Sequence, residues 1–298
     1  MQMIQKIWRR INAFNDHQLL QDDIKNLFDW SVTNQMVFHP SKCKAVSISK
    51  KRNIFDNLPF NVFIYEMNGT LIDYVETQRD LGVMVDSKLN WNSQYSMVLS
   101  NAITKLGILK RTCHFTTDAR QKRSFYIAIV RSLFEHCSTI WSPQHKTNLS
   151  KFASLQRRAV KWINGEPFVS YTDEKYSEVL RKHQLLPIKL KFIYNDLVMF
   201  FKIVNKLIPI ELPDFIIFCE PGNTRFTRST ASIHNSNDTT KFSCSIQPNC
   251  DAFKHSFFYR TILRWNHLPL DTRKAENLGK FKSLLKQALW SPDTDWPD

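Results

Sequence analysis

The first 94 residues combine one helical pattern with several strand-like runs. Apolar residues recur at helical spacing over residues 16–33, and Asn15 or Asp16 can cap the amphipathic helix that this pattern predicts. An Asn68-Gly69 pair between two β-rich runs is typical of a hairpin turn. The predicted strands are Met36 to Phe38, Ala45 to Ser49, Val62 to Met67, Thr70 to Val75 and Leu81 to Asp86. We therefore expect a helix packed on a small, largely antiparallel sheet.

From Trp91 the apolar period changes from two to about 3.6, which indicates helices. The first helix contains Tyr95 to Leu106, the second runs from Asp118 to about Trp141, and the third runs from Lys146 to Ile163. The two faces of the third helix are an apolar stripe of Leu149, Phe152, Ala153, Ala159, Val160 and Ile163 and a basic side of Lys151, Arg157, Arg158 and Lys161. The basic side is predicted to point outward from a helical bundle.

Residues 166–298 are predicted to form a helical C-terminal extension. Within it, residues 173–206 are strongly apolar at helical spacing and are expected in the core, and residues 251–268 and 275–290 form two more helices. Residues 222–250 are rich in Ser, Thr and Asn. Because they show little hydrophobic periodicity, they are predicted to be a long loop or flexible linker.

The predicted fold class is α+β, and the chain divides into residues 1–94, 95–165 and 166–298. Of 41 Lys and Arg and 27 Asp and Glu residues, residues 95–165 hold twelve basic and two acidic side chains, so this part carries most of the net charge of +14. Positive charges in so basic a folded segment repel one another. Such an excess of positive charge is typical of a surface that binds a polyanion, most often nucleic acid. The alternative is a solvated basic face without a partner.

Composition argues against several classes of protein. Only 6 Gly residues are present, and neither a GxGxxG nor a GxxxxGK[ST] phosphate loop occurs. The 6 Cys residues form no CxxC pair, which argues against a zinc ribbon and against a disulfide-rich secreted domain. No signal-peptide or membrane-spanning pattern occurs, so we expect an intracellular protein, nuclear or cytoplasmic, with no membrane partner.

Five strings follow one another along nearly the whole chain: NDHQLLQDDIKNLFDWSVTNQMVFHPSKCKAVSIS, RDLGVMVDSKLNW, SLFEHCSTIWSP, LQRRAVKWINGEP and RTILRWNHLP. This series resembles the C-terminal part of the reverse transcriptases of jockey-like non-LTR retrotransposons, which are RNA-directed DNA polymerases. The resemblance implies that residues 1–94 are the end of a polymerase palm. It also implies that residues 95–165 are a thumb that lies along the template–primer duplex, a role that requires positive charge.

The resemblance also implies roles for individual residues. Lys42 in FHPSKC is similar to a Lys that lies near the incoming nucleotide and acts as a general acid, although His39 stands where the family usually has Asn. Leu81 and Gly82 in RDLGV resemble the primer-gripping hairpin region, and Trp265 to Pro269 resemble a C-terminal family signature. Nucleic-acid contacts are predicted for Lys105, Lys110, Arg111, Arg120, Lys122, Arg123, Arg131, Lys151, Arg157, Arg158 and Lys161.

Template copying needs carboxylates that hold two divalent ions. In the family these carboxylates precede the segment that this chain resembles, so we expect no intact catalytic site and no Mg²⁺ bound by this chain alone. Asp22-Asp23 lies inside the predicted first helix, and Asp80 and Asp86 flank a predicted strand. Asp22 and Asp23 are therefore expected to be exposed carboxylates on the helix, and Asp80 and Asp86 are expected to have structural roles.

Three residues could suggest a zinc site. Cys244, Cys250 and His255 have a spacing unlike that of a zinc knuckle or an ordinary zinc finger, so no metal site is predicted. Packing, rather than metal binding or base stacking, is expected for Cys113-His114, His136-Cys137, Trp8, Trp91 and Trp162.

The sequence therefore leaves three functional hypotheses. The first is a truncated reverse-transcriptase-like protein that binds RNA, DNA or an RNA–DNA hybrid through its basic thumb and does not polymerise alone. The second is a fragment of a longer active polymerase, with the missing N-terminal polymerase segment as its partner. The third is an inactive relic or a protein-interaction module that has kept the helical bundle.

Overall fold

The chain folds into two compact units, Met1–Ser93 and Gln94–Asp298. The computed structural model describes residues 6–36, 38–48, 63–113, 118–166, 168–218, 238–291 and 296. The elements of the N-terminal unit are α1 (Phe14–Thr33), a 3₁₀ turn (Pro40–Lys42), β1 (Lys44–Ala45), β2 (Glu66–Met67), β3 (Thr70–Leu71), β4 (Asp73–Tyr74), β5 (Thr77–Asp80) and β6 (Val83–Asp86). The α+β class that the sequence predicts is confirmed.

The predicted amphipathic helix is present as α1 and begins at Phe14. Its first turn is stabilised by Asp16, whose carboxylate accepts hydrogen bonds from the backbone N–H groups of Asn12 (2.7 Å) and Ala13 (2.9 Å). These hydrogen bonds lower the pKa of Asp16. On its inner face, Ile24 is buried in a small cluster with Tyr65, Met67 and Ile72.

The strands of the N-terminal unit are shorter than the sequence predicts. Among the described residues they form three separate pairs, of which β2–β3 and β5–β6 are antiparallel and β1–β4 is parallel. No strand forms at Met36 or Phe38, and Val37 lies outside the described residues, as do residues 49–62. The predicted strands Ala45 to Ser49 and Val62 to Met67 therefore lie partly outside the described residues.

Two hairpin turns depend on backbone conformations that favour glycine. Asn68 and Gly69 have φ angles of 50° and 70°, as a tight turn between β2 and β3 requires, so the predicted hairpin is confirmed. Leu81 and Gly82, with φ angles of 45° and 90°, make a second such turn between β5 and β6. The resemblance implies a hairpin region here, whereas the apolar pattern does not reveal it, because β5 lacks alternating apolar residues.

Replacement of Gly69 with Ala is expected to destabilise the N-terminal unit by about 1 kcal/mol, because an L residue is strained at positive φ. A Cβ at this position would meet no atom within 4 Å, so backbone strain is the only cost. Urea unfolding monitored by tryptophan fluorescence and circular dichroism checks the value. No loss of stability would show that the turn is not held at positive φ.

The C-terminal unit contains eleven helices among its described residues, one π-helical turn and one strand pair. In chain order these are α2 (Asn92–Thr112, which begins at the boundary), α3 (Ala119–Phe125), the π-helical turn (Tyr126–Arg131), α4 (Ser132–Glu135), α5 (Ser138–Trp141), α6 (Lys146–Ile163), α7 (Asp173–Lys182), α8 (Ile188–Val204), β7 (Ile216–Phe218), β8 (Phe242–Cys244), α9 (Asp251–Lys254), α10 (Phe257–Asn266), α11 (Leu270–Arg273) and α12 (Leu278–Trp290).

The predicted thumb residues, 95–165, and the predicted extension, 166–298, share one core. Phe152 of α6 packs its ring edge-on against Phe192 of α8, with 5.9 Å between ring centroids. Further along, Phe201 of α8 stacks on Phe281 of α12 at 4.2 Å. Because α8 contacts both groups of helices, the two segments belong to one compact unit.

The second predicted helix, Asp118 to Trp141, is not continuous. It consists of α3, the π-helical turn, α4 and α5, and it is interrupted at Cys137, which has a φ of 51°. A π-helical turn has more residues per turn than an α-helix, so it changes which side chains face the core. The 3.6-residue period used for the prediction therefore fails across this segment.

Part of the predicted flexible linker, residues 222–250, belongs to the core. Residues 219–237 lie outside the described residues, but residues 242–244 form β8, which pairs with β7. Phe242 is buried, with its ring 5.3 Å from that of Phe200. Periodicity could not reveal so short a strand among polar neighbours.

Candidate nucleic-acid interface

The eleven basic residues predicted to contact nucleic acid lie on α2, α3, the π-helical turn and α6. The buried stripe of α6 includes Phe152, Ala159, Val160 and Ile163, as the sequence predicts. A polar residue, Gln156, also lies in this stripe and is fully buried. These contacts fix the rotation of α6 about its axis and therefore decide where each of its cations lies.

The eleven cations proposed from sequence differ in exposure. Five are exposed: Lys105, Arg111, Arg120, Lys151 and Arg158. Five are half-buried: Lys110, Lys122, Arg123, Arg157 and Lys161. Arg131 is buried. Burial of a guanidinium removes it from contact with a phosphate. The surface available to nucleic acid is thus smaller than the sequence predicts.

Lys151 and Arg158 lie on the same flank of α6. Seven residues correspond to about 10.5 Å along the helix axis and to a rotation of only about 20°, so the two side chains form one row. This flank is the one next to Trp162, whose ring lies 5.7 Å from Lys122 Nζ of α3. It therefore continues onto a second helix.

Lys110 of α2 lies near the Arg158 end of this row. Burial lowers the pKa of Lys110, and the nearby positive charge of Arg158 lowers it further. Such an effect requires the two like charges to be close together. We call Lys110, Lys122, Lys151 and Arg158 the cationic flank.

Lys105 lies apart from this flank although it shares α2 with Lys110. Five residues correspond to a rotation of about 140° around a helix. The two lysines therefore lie on opposite sides of the buried stripe of α2, which includes Ala102 and Leu106. Helical spacing alone therefore predicts that Lys105 and Lys110 lie on different sides of α2.

Arg157 and Lys161 face the opposite flank of α6, against α7 and the loop that leads to it. The Arg157 guanidinium donates to the Tyr171 carbonyl (3.1 Å) and to the Asp173 carboxylate (2.7 Å), and it lies 4.4 Å from the centre of the Tyr176 ring. Lys161 Nζ lies 5.4 Å from the centre of the Tyr171 ring. Both cations are engaged within the protein, which the sequence did not predict.

Arg157→Ala is expected to destabilise the C-terminal unit by about 1 kcal/mol, because it removes a partly exposed ion pair, a hydrogen bond and a cation–π contact. Duplex affinity is expected to change less than about twofold, since Arg157 lies off the cationic flank. Urea unfolding and fluorescence anisotropy measure the two quantities. A large loss of affinity with unchanged stability would place Arg157 in the interface instead.

Arg131 and Arg123 also differ from the prediction. Arg131 ends the π-helical turn and is 5% exposed, and its Nε donates to Glu135 Oε1 at 2.9 Å. Arg123 Nε donates to the His183 carbonyl at 2.6 Å. Arg131 is therefore not on the outward surface, because the π-helical turn rotates it into the core.

The residues that the resemblance places near a primer end lie in the N-terminal unit. Lys42 is exposed at the end of the 3₁₀ turn. Leu81, which is 62% exposed, and Gly82 form the turn between β5 and β6. The nearby His39 ring meets the Ser41 hydroxyl at 2.8 Å.

The four aspartates weighed from the sequence have separate surroundings. Asp22 is exposed on α1, and Asp23 accepts from Arg9 Nη2 at 2.6 Å. Asp80 pairs with Lys6, and the buried Asp86 accepts from the backbone of the turn that follows β6. Within the described ranges, no three His, Cys, Asp or Glu side chains converge on a metal position.

The cysteines and tryptophans raised by the sequence lie in varied surroundings. Cys244 Sγ donates to the Ile246 carbonyl at 3.1 Å, and the His255 ring packs against that of His145. Trp162 is buried as expected, whereas Trp8 is 86% exposed, because no helix forms at residues 6–13. The other candidates are Cys113, which is buried, Cys137 and Trp91, which are half-buried, His136, which is exposed, and His114, which lies outside the described residues.

The Trp265 to Pro269 signature has a structural role that sequence reasoning missed. Trp265 Nε1 donates to the Thr240 carbonyl at 3.0 Å. The Asn266 side chain donates to the Phe242 carbonyl (2.7 Å) and accepts from the Phe242 N–H (3.0 Å), as a neighbouring strand would. The signature thus holds β8 against α10. No local pattern reveals this contact, because its partner lies more than twenty residues away.

No helix within the described ranges is both long enough and apolar enough to cross a membrane. Known proteins offer no assignment for the cationic flank. No family model matches the sequence, and no curated protein and no solved structure shows a significant match.

Proposed function

We propose that the C-terminal unit binds the sugar–phosphate backbone of a nucleic-acid duplex through the cationic flank. The observation that carries this proposal is the row formed by Lys151 and Arg158, which are both exposed. Lys110 of α2 lies near Arg158, and Lys122 of α3 lies against Trp162 on the same flank. Phosphate contacts of this kind position a duplex without reading its sequence. Binding should therefore be largely independent of sequence and sensitive to salt.

The reverse-transcriptase resemblance supplies the substrate for this proposal. Under this proposal the duplex is a template–primer, and residues 95–165 support it as a thumb does. The protein then acts in the nucleus or cytoplasm. The N-terminal unit takes the palm-like part, with Lys42 near an incoming nucleotide and the turn of Leu81 and Gly82 at the primer end. Since the described aspartates are dispersed, we propose that this chain binds the duplex but does not extend the primer by itself.

A protein-interaction module is the second candidate, and exposed aromatic residues favour it. Phe168 is 98% exposed, and Trp8 is 86% exposed. Contiguous patches of exposed apolar side chains are typical of surfaces that bind other proteins, and each of these two rings would belong to such a patch in its own unit under this candidate. This candidate predicts duplex affinity no greater than that of an unrelated protein of equal charge.

The two candidates are separated by the affinity of the purified chain for a labelled RNA–DNA template–primer, measured by fluorescence anisotropy. We expect the double variant Lys151→Ala/Arg158→Ala to bind at least about tenfold more weakly than the wild type, because two phosphate contacts are lost. The matched control, Lys254→Ala/Lys274→Ala, removes two exposed lysines elsewhere in the same unit and should change affinity less than about twofold.

Addition of Mg²⁺ and nucleotides to the same mixture tests polymerisation. We expect no extension of the primer. Extension would mean that the chain contains a catalytic site that the described carboxylates do not reveal. An equal loss of affinity in the double variant and in its control would favour the interaction module.

A further inference from the structure

A cavity of about 360 Å³ opens in the C-terminal unit where two helices begin. One side of the cavity is lined by Lys146, Leu149 and Ala153, which belong to the first turns of α6. Ile188 and Phe192, from the first turns of α8, line another. Its volume is at the small end of the range of ligand pockets, about 300 to 1,000 Å³.

The cavity has a positive electrostatic character from two independent sources. Lys146, Lys189 and Arg264 line it, and none of the described lining residues is acidic. The N-cap residues of α6 and α8 make no side-chain hydrogen bond, and the first N–H of α8, that of Ile188, donates to Gln156 Oε1 (2.8 Å). The amino-terminal end of a helix carries a partial positive charge, so both helices add to the attraction for an anion.

Arg264 is held in a fixed position at this cavity. Its Nη1 donates to Asp196 Oδ2 (3.1 Å) and its Nη2 to Gln144 Oε1 (2.9 Å). Asp196 also accepts from Arg260, so one carboxylate lies between two guanidinium groups. These three buried side chains together carry a net positive charge next to the cavity.

The remaining walls are apolar or have satisfied hydrogen bonds. Leu149, Phe192 and Ile193 provide hydrocarbon surface. Gln156 and Tyr176 also line the cavity, but Tyr176 donates to Gln156 Oε1 at 3.2 Å. A ligand for this space therefore needs an apolar body and one anionic group.

We propose that the cavity binds a small amphipathic carboxylate. Its carboxylate lies at the N-termini of α6 and α8, near Lys146 and Lys189, and its hydrocarbon or aromatic body lies against Leu149 and Phe192. The proposal is independent of nucleic-acid binding, because neither lysine belongs to the cationic flank.

Isothermal titration calorimetry with octanoate and with 1-octanol tests this site. The two probes have the same chain length and differ in charge, so we expect one octanoate site and at least about tenfold weaker binding of octanol. In Lys146→Gln/Lys189→Gln, octanoate affinity should fall about tenfold while octanol affinity stays the same. The control Lys254→Gln/Lys274→Gln should bind both probes as the wild type does.

Filling the cavity provides a second test. Ala153→Trp places a large side chain in the cavity and should abolish octanoate binding. If circular dichroism shows that the Trp variant does not fold, Ala153→Met is used as the cavity-filling variant instead. Equal affinity for octanoate and octanol, no octanoate binding to the wild type, or binding that survives the filled cavity would each overturn the proposal.

Discussion

Replacement of Asp196 with Asn is expected to destabilise the C-terminal unit by about 3 to 5 kcal/mol. Asp196 is fully buried, and its carboxylate accepts from Arg260 Nε (2.9 Å), Arg260 Nη2 (3.0 Å) and Arg264 Nη1 (3.1 Å). Both arginine side chains are at most 5% exposed. The amide would leave two buried positive charges without their counter-charge, which is why the cost exceeds that of a surface ion pair.

Urea unfolding monitored by circular dichroism measures this loss. Glu178→Gln is the matched control, because it neutralises an exposed carboxylate on α7 in the same unit and should change stability by less than about 0.5 kcal/mol. A loss below about 1 kcal/mol for Asp196→Asn would show that water reaches the arginines.

Gln156→Leu is expected to cost about 3 kcal/mol, the second largest effect. Gln156 Nε2 donates to the Leu186 carbonyl (2.9 Å), and its Oε1 accepts from the Ile188 N–H (2.8 Å). The leucine would leave both backbone groups buried and unsatisfied at the start of α8. The packing of α8 on α6 depends on these two bonds.

The contribution of each bond can be separated. Gln156→Glu keeps an acceptor for Ile188 but loses the donor to Leu186, so it should also destabilise the unit. Gln287→Leu, at an exposed position of α12, is the control and should be nearly neutral. If Gln156→Leu were as stable as the wild type, the amide would not be part of the folded core.

Helical periodicity predicted the long helices well because their buried stripes are regular. Phe152, Val160 and Ile163 were assigned to the core of α6 from spacing alone, and all three are buried. The short elements were harder. β8 has three residues, and its partners are β7 and the Asn266 side chain of α10, so the sequence around Phe242 carries no local signal for a buried strand.

The candidate interface was predicted only in outline. Arg157 and Arg158 are adjacent and chemically identical, yet α7 packs against the side that carries Arg157 and leaves Arg158 exposed. Arg131 was misplaced because the π-helical turn breaks the helical period. Such outcomes depend on which elements meet in three dimensions, so residue type and spacing alone could not reveal them.

The central claim, that the cationic flank binds a duplex backbone, is tested most directly by the salt dependence of affinity. The measurement is the affinity for a labelled RNA–DNA duplex between about 50 and 300 mM salt, for the wild type and for Lys151→Ala/Arg158→Ala. We predict that the logarithm of the wild-type association constant falls steeply and linearly with the logarithm of the salt concentration. In the variant this slope should be shallower by about two, one for each lost phosphate contact. Identical slopes for the two proteins would contradict the claim.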